Sequence, residues 1–399
     1  MNNPKHFFVC LYSKKGRRVG HSISLEPDFA PNFDDQMSDP KATTSESEQI
    51  SGFANRFNDF VQSTFGFIEF VPLILAFTPA FSEMMLEGFD EFLKQKSLSK
   101  TEEEDRTIYQ VSTVDFGDFR RLVESFSSAR QTSRDIPRML TVGLVSAFEY
   151  HLGLLMQQIG LVRPEAIFDR EKTLPVRDLL HASSIDDLKK AILASEVDSV
   201  LRSSFEDQIE WIVKRTGTDK IQSNYKEWPL LIELLERRNL FAHTAGLINS
   251  QYLSAAKKNS FPGYEKLKLE TELHADYAYY RRAVNLIADF GAKLIQVVWR
   301  KMLPTEVDKA DRCVGDFGYE LLLRGKYDLA VSILEFGATL RNLSSDRTRR
   351  MMIVNLANAH KLSGNTDKCE AVLIGEDWSS SSIEFRICIA PSAMTWSKL

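Results

Sequence analysis

The sequence predicts an all-α protein: a helical bundle followed by short helical hairpins, with a small irregular appendage at its N-terminus. Three observations carry that expectation. Apolar residues recur at helical spacing through Met139–Ile159, Trp228–His243 and residues 271–302. Strand-like character is confined to His6–Ile23. A pattern of small residues in two short amphipathic segments near the C-terminus occurs twice. With 399 residues, 43% of them hydrophobic, the chain is long enough for two or three domains with real cores.

Residues 1–50 read as appendage and linker. His6–Tyr12 predicts a strand paired through Lys14-Lys15-Gly16-Arg17 with Val19–Ile23, and Pro27–Gln49 is polar, acidic and rich in Ser and Thr. Residues 51–135 read as a helical extension. Its most apolar stretch, Phe65–Phe81, is interrupted by Glu69, Pro72 and Pro79, so a buried helix pair is expected there and not a membrane span. The amphipathic run Phe81–Leu98 leads to a charged break at Lys100–Arg106. Helices are then expected near 115–129, 136–160, 186–196, 200–215, 225–245, 249–257 and 271–302, with loops at Gly160–Pro164 and Gly217. Residues 136–303 form the expected main helical domain.

After Pro304 the pattern changes. Gly318, Gly325, Ala330 and Leu334 are matched 39 residues later by Ala357, Gly364, Cys369 and Leu373. Small residues where two short antiparallel helices cross allow close packing, so residues 304–399 resemble tetratricopeptide (TPR) hairpins. The period is longer than theirs, which places an insertion in the linker Leu343–Arg349. Two hairpins are too few to stand alone, so they are expected to stack on the core or on a protein partner. Ile383–Ala390 reads as the start of a third helix.

The formal charge of −5 gives no global field for nucleic acid, which local clusters would have to hold. Candidates are Arg130, Arg134 and Arg138; Lys214 and Arg215; Arg237 and Arg238; Lys257 and Lys258; Arg281 and Arg282. Each reads first as a solvated helix face, and only Tyr279-Tyr280-Arg281-Arg282 interleaves rings with cations. Cys10, Cys313, Cys369 and Cys388 share no ligand spacing and read as reduced thiols of a cytoplasmic protein. The seven histidines are equally scattered, so no metal or cofactor is expected. Phe7–Cys10 is too short for a secretory core, and no phosphate-binding glycine loop, H-E-x-x-H or nucleophile elbow is present.

The most informative segment is Trp228–Tyr252. On a helical wheel Leu231, Leu235 and Ala242 form an apolar line flanked by Leu230, Ile232, Leu234 and Phe241. Arg238 falls within about 20° of Leu231, in the middle of that arc. A guanidinium on a packing face needs an anion, and Glu149, bracketed by Val142, Val145, Leu152 and Met156 on an upstream helix, is the expected partner. Asn239 and His243 lie one turn apart, and Gly246 follows as a helix stop. A fixed cation, an amide and a proton carrier together suit a phosphodiester. Arg238 and His243 are about 140° apart on an ideal helix, so they meet only if the arginine reaches round or the helix distorts near Ala242.

Arg238-Asn239-Leu240-Phe241-Ala242-His243 resembles the R-N-x-x-x-H signature of HEPN domains, a helical family rich in metal-independent ribonucleases. The likeness covers about residues 136–303, with Glu233, Glu236 and Arg237 before the signature, Gly246–Tyr252 after it, and Glu149 in a helix similar to the family's first. The resemblance implies a homodimer whose two motifs face each other and cut RNA without metal. His243 would be the acid and base, Arg238 the phosphate clamp and Asn239 the orienting residue, with Glu149, Glu236 and Arg237 in support. Attack by the RNA 2′-OH would leave a 2′,3′-cyclic phosphate and a 5′-hydroxyl. A role as a stress, toxin or defence effector is the family's. One toxin branch has Tyr two residues after the histidine; Ala245 stands there, so control by nucleotidyl transfer to it is not implied. The alternative is a non-catalytic scaffold in which Arg238 is merely paired with Glu149.

Overall fold

The alternation in the first residues produces the hairpin it predicts. Strand β1 (Phe8–Lys14) pairs antiparallel with β2 (Arg17–Ser24), from Phe8 opposite Ser24 to Lys14 opposite Arg17, with a bulge between Tyr12 and Ser13. The computed structural model describes residues 8–14, 17–24, 52–102, 107–166, 184–219, 221–379 and 385. The linker Pro27–Gln49 lies outside them, as does Ile383–Ala390 apart from Phe385. Met1–Ile50 is one unit and Ser51–Leu399 another, with no division at 135 or 303.

Two helices much longer than expected organise the larger unit. Helix α1 (Gly52–Lys96) has 45 residues and runs through Pro72 and Pro79, where a helix pair was expected. Helix α2 (Phe116–Val162) has 47 and joins the segments 115–129 and 136–160 through Pro137. Between them β3 (Ser97–Glu102) and β4 (Thr107–Val111) form an antiparallel hairpin at the expected charged break. Gly52 faces Gln158, Phe60 meets His151 and Phe92 meets Phe119, so α1 and α2 run antiparallel along their length. Each proline removes a helix donor and crowds the turn before it. A partner helix about 65–70 Å long supplies enough contact to override that local cost. Around Pro137 hydroxyls bond the carbonyls, Thr141 donating to Pro137 O and Ser133 to Ala129 O, both at 2.9 Å.

Only the proximal half of this pair joins the core. Phe53, Phe57, Phe60, Phe65 and Ile68 of α1 and Leu144, Val145, Phe148, Leu152 and Met156 of α2 are buried. Among the described residues from 83 to 128, none is buried. Phe70, Leu73 and Ile74 are exposed. By length and composition alone Gly52–Ala76 and Thr113–Val162 are long and apolar enough to cross a membrane, and less than half of each apolar window is buried.

Helices α3 (Ile185–Leu201), α4 (Phe205–Thr216), α5 (Ile221–Asn224), α6 (Trp228–His243), α7 (Ser250–Lys258) and α8 (Tyr277–Met302) follow. Their starts are set by caps: the side chains of Ser184, Ser204, Asn249 and Asp276 each accept an N–H of the first turn. Helix α8 begins later than expected because 271–273 pairs with 246–248 instead, Leu273 N–H donating to Gly246 O at 2.8 Å. Phe148, Phe205, Trp228 and Phe290 close the core between α2, α4, α6 and α8.

The two C-terminal hairpins are α9 (Val307–Leu323) with α10 (Tyr327–Thr339), and α11 (Asp346–Leu362) with α12 (Thr366–Ile374). Helices α9 and α11 both have 17 residues. The turns repeat bond for bond: Gly325 N–H donates to Leu322 O and Lys326 N–H to Leu321 O, as Gly364 does to Lys361 and Asn365 to His360. The linker is 340–345, because Asp346–Arg349, expected in it, form the first turn of α11 after the Ser345 cap. The hairpins stack on the bundle. Asp289 of α8 accepts from Tyr225 at 2.9 Å and from Ser332 of α10 at 2.6 Å, and the buried Asp311 of α9 pairs with Arg300 at 2.6 Å.

Close crossing depends on Gly318. A Cβ there would lie 2.4 Å from Leu334 Cδ2, so Leu334 would have to leave its site. Gly318→Ala is expected to destabilise the unit by about 1–3 kcal/mol in urea titration, a typical cost of overpacking.

Candidate functional site

Helix α6 is buried all round over Leu231, Ile232, Glu233, Leu234 and Leu235, after a first turn in which Leu230 is exposed. It emerges toward its C-terminus: Glu236, Arg237, Arg238 and Asn239 are half-buried, and His243 is exposed. Ala242, expected on the apolar line, is exposed too. Leu240 and Phe241 beside it stay buried, so the last turn packs on a side turned away from the predicted apolar line. Thr244 and Gly246 both return their N–H groups to the Leu240 carbonyl, at 2.8 and 3.1 Å. Ala245 and Gly246 have φ of 50° and 87°, and a Cβ on Gly246 would sit 2.7 Å from Leu273 O. Only glycine fits that position.

Each half-buried side chain of this end has a different neighbour. Arg238 Nη2 donates to Glu149 of α2, and its side chain remains 22% exposed. The Nε of Arg238 is buried without an acceptor. Burial pushes the Glu236 carboxyl up, opposed by a hydrogen bond from Asn239 and by the Arg238 charge, and reinforced by Glu206. His243 has neither ion pair nor hydrogen bond among the described residues. The helix stays regular to His243, so a single chain sets arginine and histidine on different sides, Arg238 toward α2 and His243 toward solvent.

The Glu236 shift has a sign that can be measured. Below the unfolded-state value the carboxyl is protonated in both states and costs nothing. Above the raised folded-state value the buried charge opposes folding. Glu236→Gln is therefore expected to raise the melting temperature at pH 7 and to leave it nearly unchanged near pH 4, as scanning calorimetry would read.

Arg237 belongs to another cluster. It bonds Glu233 Oε1 at 2.7 Å, donates to His274 O at 2.9 Å and lies 4.1 Å over the Tyr279 ring. Tyr252 and Tyr279 donate their hydroxyls to the two Glu233 oxygens at 2.8 and 3.0 Å. Burial and the Glu233 charge push both phenols up. This network ties α6 to α7 and α8. Sequence reasoning placed Arg237 beside the motif but missed the tyrosines; the Glu233–Arg237 spacing of one helical turn was its only local sign.

Beside Glu149, α2 presents an uncharged outer face. Met139, Gly143, Ser146, Tyr150, Gln157 and Leu161 are all exposed and share one side of the helix. The basic clusters are mostly committed elsewhere: Arg134 and Arg138 to Glu272, Lys214 to Glu210, Arg215 to Glu196 and Lys258 to Glu206. Among the described residues, no three His, Cys, Asp or Glu side chains gather as a metal site would need.

Comparison with protein-family models, with curated proteins and with solved structures returned no match.

Proposed function

We propose that the chain is a metal-independent endoribonuclease of HEPN type that acts as a homodimer. The observation that carries this reading is the end of α6: an exposed, unpartnered His243 one turn beyond Asn239, on the helix whose Arg238 is held by Glu149. The RNA 2′-oxygen attacks phosphorus as His243 of one protomer takes its proton. The phosphorus–O5′ bond breaks as the partner's His243 returns a proton to O5′, leaving a 2′,3′-cyclic phosphate and a 5′-hydroxyl. Arg238 neutralises the phosphorane, with Glu149 fixing its position. The separation of Arg238 from His243 within one chain favours a composite site, in which each histidine works beside the other protomer's arginine. The uncharged α2 face, flanked by Glu149, is the surface such a dimer would bury.

A second reading, a non-catalytic scaffold using the TPR-like hairpins, is favoured by the same ion pair, since Glu149 alone satisfies the Arg238 charge. Cleavage of end-labelled RNA in EDTA, by the parent and by folded His243→Ala and Arg238→Ala variants, separates the two. Cutting that both variants lose supports the nuclease; intact RNA from a confirmed dimer favours the scaffold.

Dimerisation has its own test. A Cβ on Gly143 meets nothing within 4 Å, so a longer side chain there leaves the fold intact. Gly143→Arg is expected to shift sedimentation from dimer to monomer and to abolish cleavage with it.

A further inference from the structure

Two cavities meet along the first turns of α8. One, of about 430 Å³, is lined largely by apolar side chains, including Tyr225, Leu230, Phe261 and Leu286. The other, of about 440 Å³, is polar and is lined by α1, α8 and the turn joining α9 to α10. Arg282, Asn285, Asp328 and Leu329 line both.

The polar cavity collects Arg281, Arg282 and Lys326 against a single carboxylate, Asp328. None of the three cations has an ion pair among the described residues, in contrast to the clusters committed to carboxylates above. Tyr280, 1% exposed, lines the same cavity, and its hydroxyl is buried without a hydrogen-bond partner. Gathering like charges around an unsatisfied hydroxyl is unfavourable unless an anion completes the arrangement.

We infer that the paired cavities bind a small phosphomonoester carrying an apolar body. The phosphate sits among Arg281, Arg282 and Lys326 and accepts from the Tyr280 hydroxyl. The apolar body lies past Arg282 in the neighbouring cavity. A dianionic phosphate balances the excess of three cations over one carboxylate, and guanidinium forks suit its oxygens. Cavities of this size admit small molecules. None of Arg238, Asn239 and His243 lines either cavity, so the inference stands apart from the nuclease reading.

Calorimetric titration of the full chain with 1-naphthyl phosphate, inorganic phosphate and 1-naphthol tests it. Naphthyl phosphate is expected to bind about tenfold or more tightly than inorganic phosphate, with no detectable binding of naphthol alone. An Arg281→Gln, Arg282→Gln double variant should lose about tenfold or more for both anions, and Tyr280→Phe, which keeps the ring packed, about threefold or more. Leu286→Ala should weaken naphthyl phosphate and leave inorganic phosphate unchanged. No binding of naphthyl phosphate at millimolar concentration, or undiminished binding by the double-arginine variant, overturns the inference. Recruitment to phosphatidic acid vesicles without binding of the soluble ester overturns it as well.

Discussion

Glu233→Ala is expected to destabilise the helical unit by about 3–5 kcal/mol, the usual result of removing one partner from a buried ion pair. Glu233 accepts from Arg237, Tyr252 and Tyr279 and is 8% exposed. Its loss takes the carboxylate from a guanidinium, which keeps only the His274 carbonyl, and from two phenols, and the three helices they join lose their common acceptor. Denaturant titration should show a lower midpoint with an unchanged slope. A fall in melting temperature on the order of 10 °C would accompany it. Glu233→Gln keeps the shape and one acceptor oxygen, so it should fall between the parent and alanine. Equal stability of all three proteins would mean that the cluster is no more than a surface arrangement.

His243→Ala is the complementary case, a large effect on chemistry with little on folding. The side chain is exposed and unpartnered among the described residues, so folding stability should change by less than about 0.5 kcal/mol. If the proposed nuclease reading holds, cleavage in EDTA should fall by about 10²–10⁴, the usual contribution of a general acid–base. Mixing this variant with Arg238→Ala gives a sharper result. Heterodimers then contain one composite half with both residues missing and one with both intact; because the proposed reaction uses both histidines, the mixture should stay as inactive as either variant, and returning activity would mean that a single intact half suffices. Mixed protein as inactive as either variant would show that both histidines are needed in the same reaction.

Helix starts were legible in part: those expected at 186 and 249 lie within one residue of the helices that Ser184 and Asn249 cap, whereas the helices capped by Ser204 and Asp276 begin five and six residues after the expected 200 and 271. The same local reasoning failed for α1 and α2. Pro72, Pro79 and the Ser-Arg-Asp-Ile-Pro run before Arg138 look like helix ends, because the partner that overrides them lies roughly 50–70 residues away along the chain. The hairpin turns were legible through Gly325 and Gly364, whose left-handed conformations recur with the same bonds. At the site, Arg238 and Glu149 were each conspicuous as a charge on an apolar face, and the structure joins them. Tyr279-Tyr280-Arg281-Arg282 stood out as rings beside cations, but neither the bonds to Glu233 nor the cavity beside Arg281 was legible there, since tyrosines at helical spacing look alike whether they pack or donate.

The helix that holds Glu149 is continuous from Phe116 to Val162, yet its buried residues begin only at Ala129. One rod therefore spans two regimes of local stability. Its C-terminal turns can open only when the bundle opens, whereas its N-terminal turns are held by their own ladder and by α1. A load or a binding event at the β3–β4 end would be spent on fraying those turns before it reached Glu149. The anchor of Arg238 is in that sense mechanically insulated from the far end of the helix that carries it.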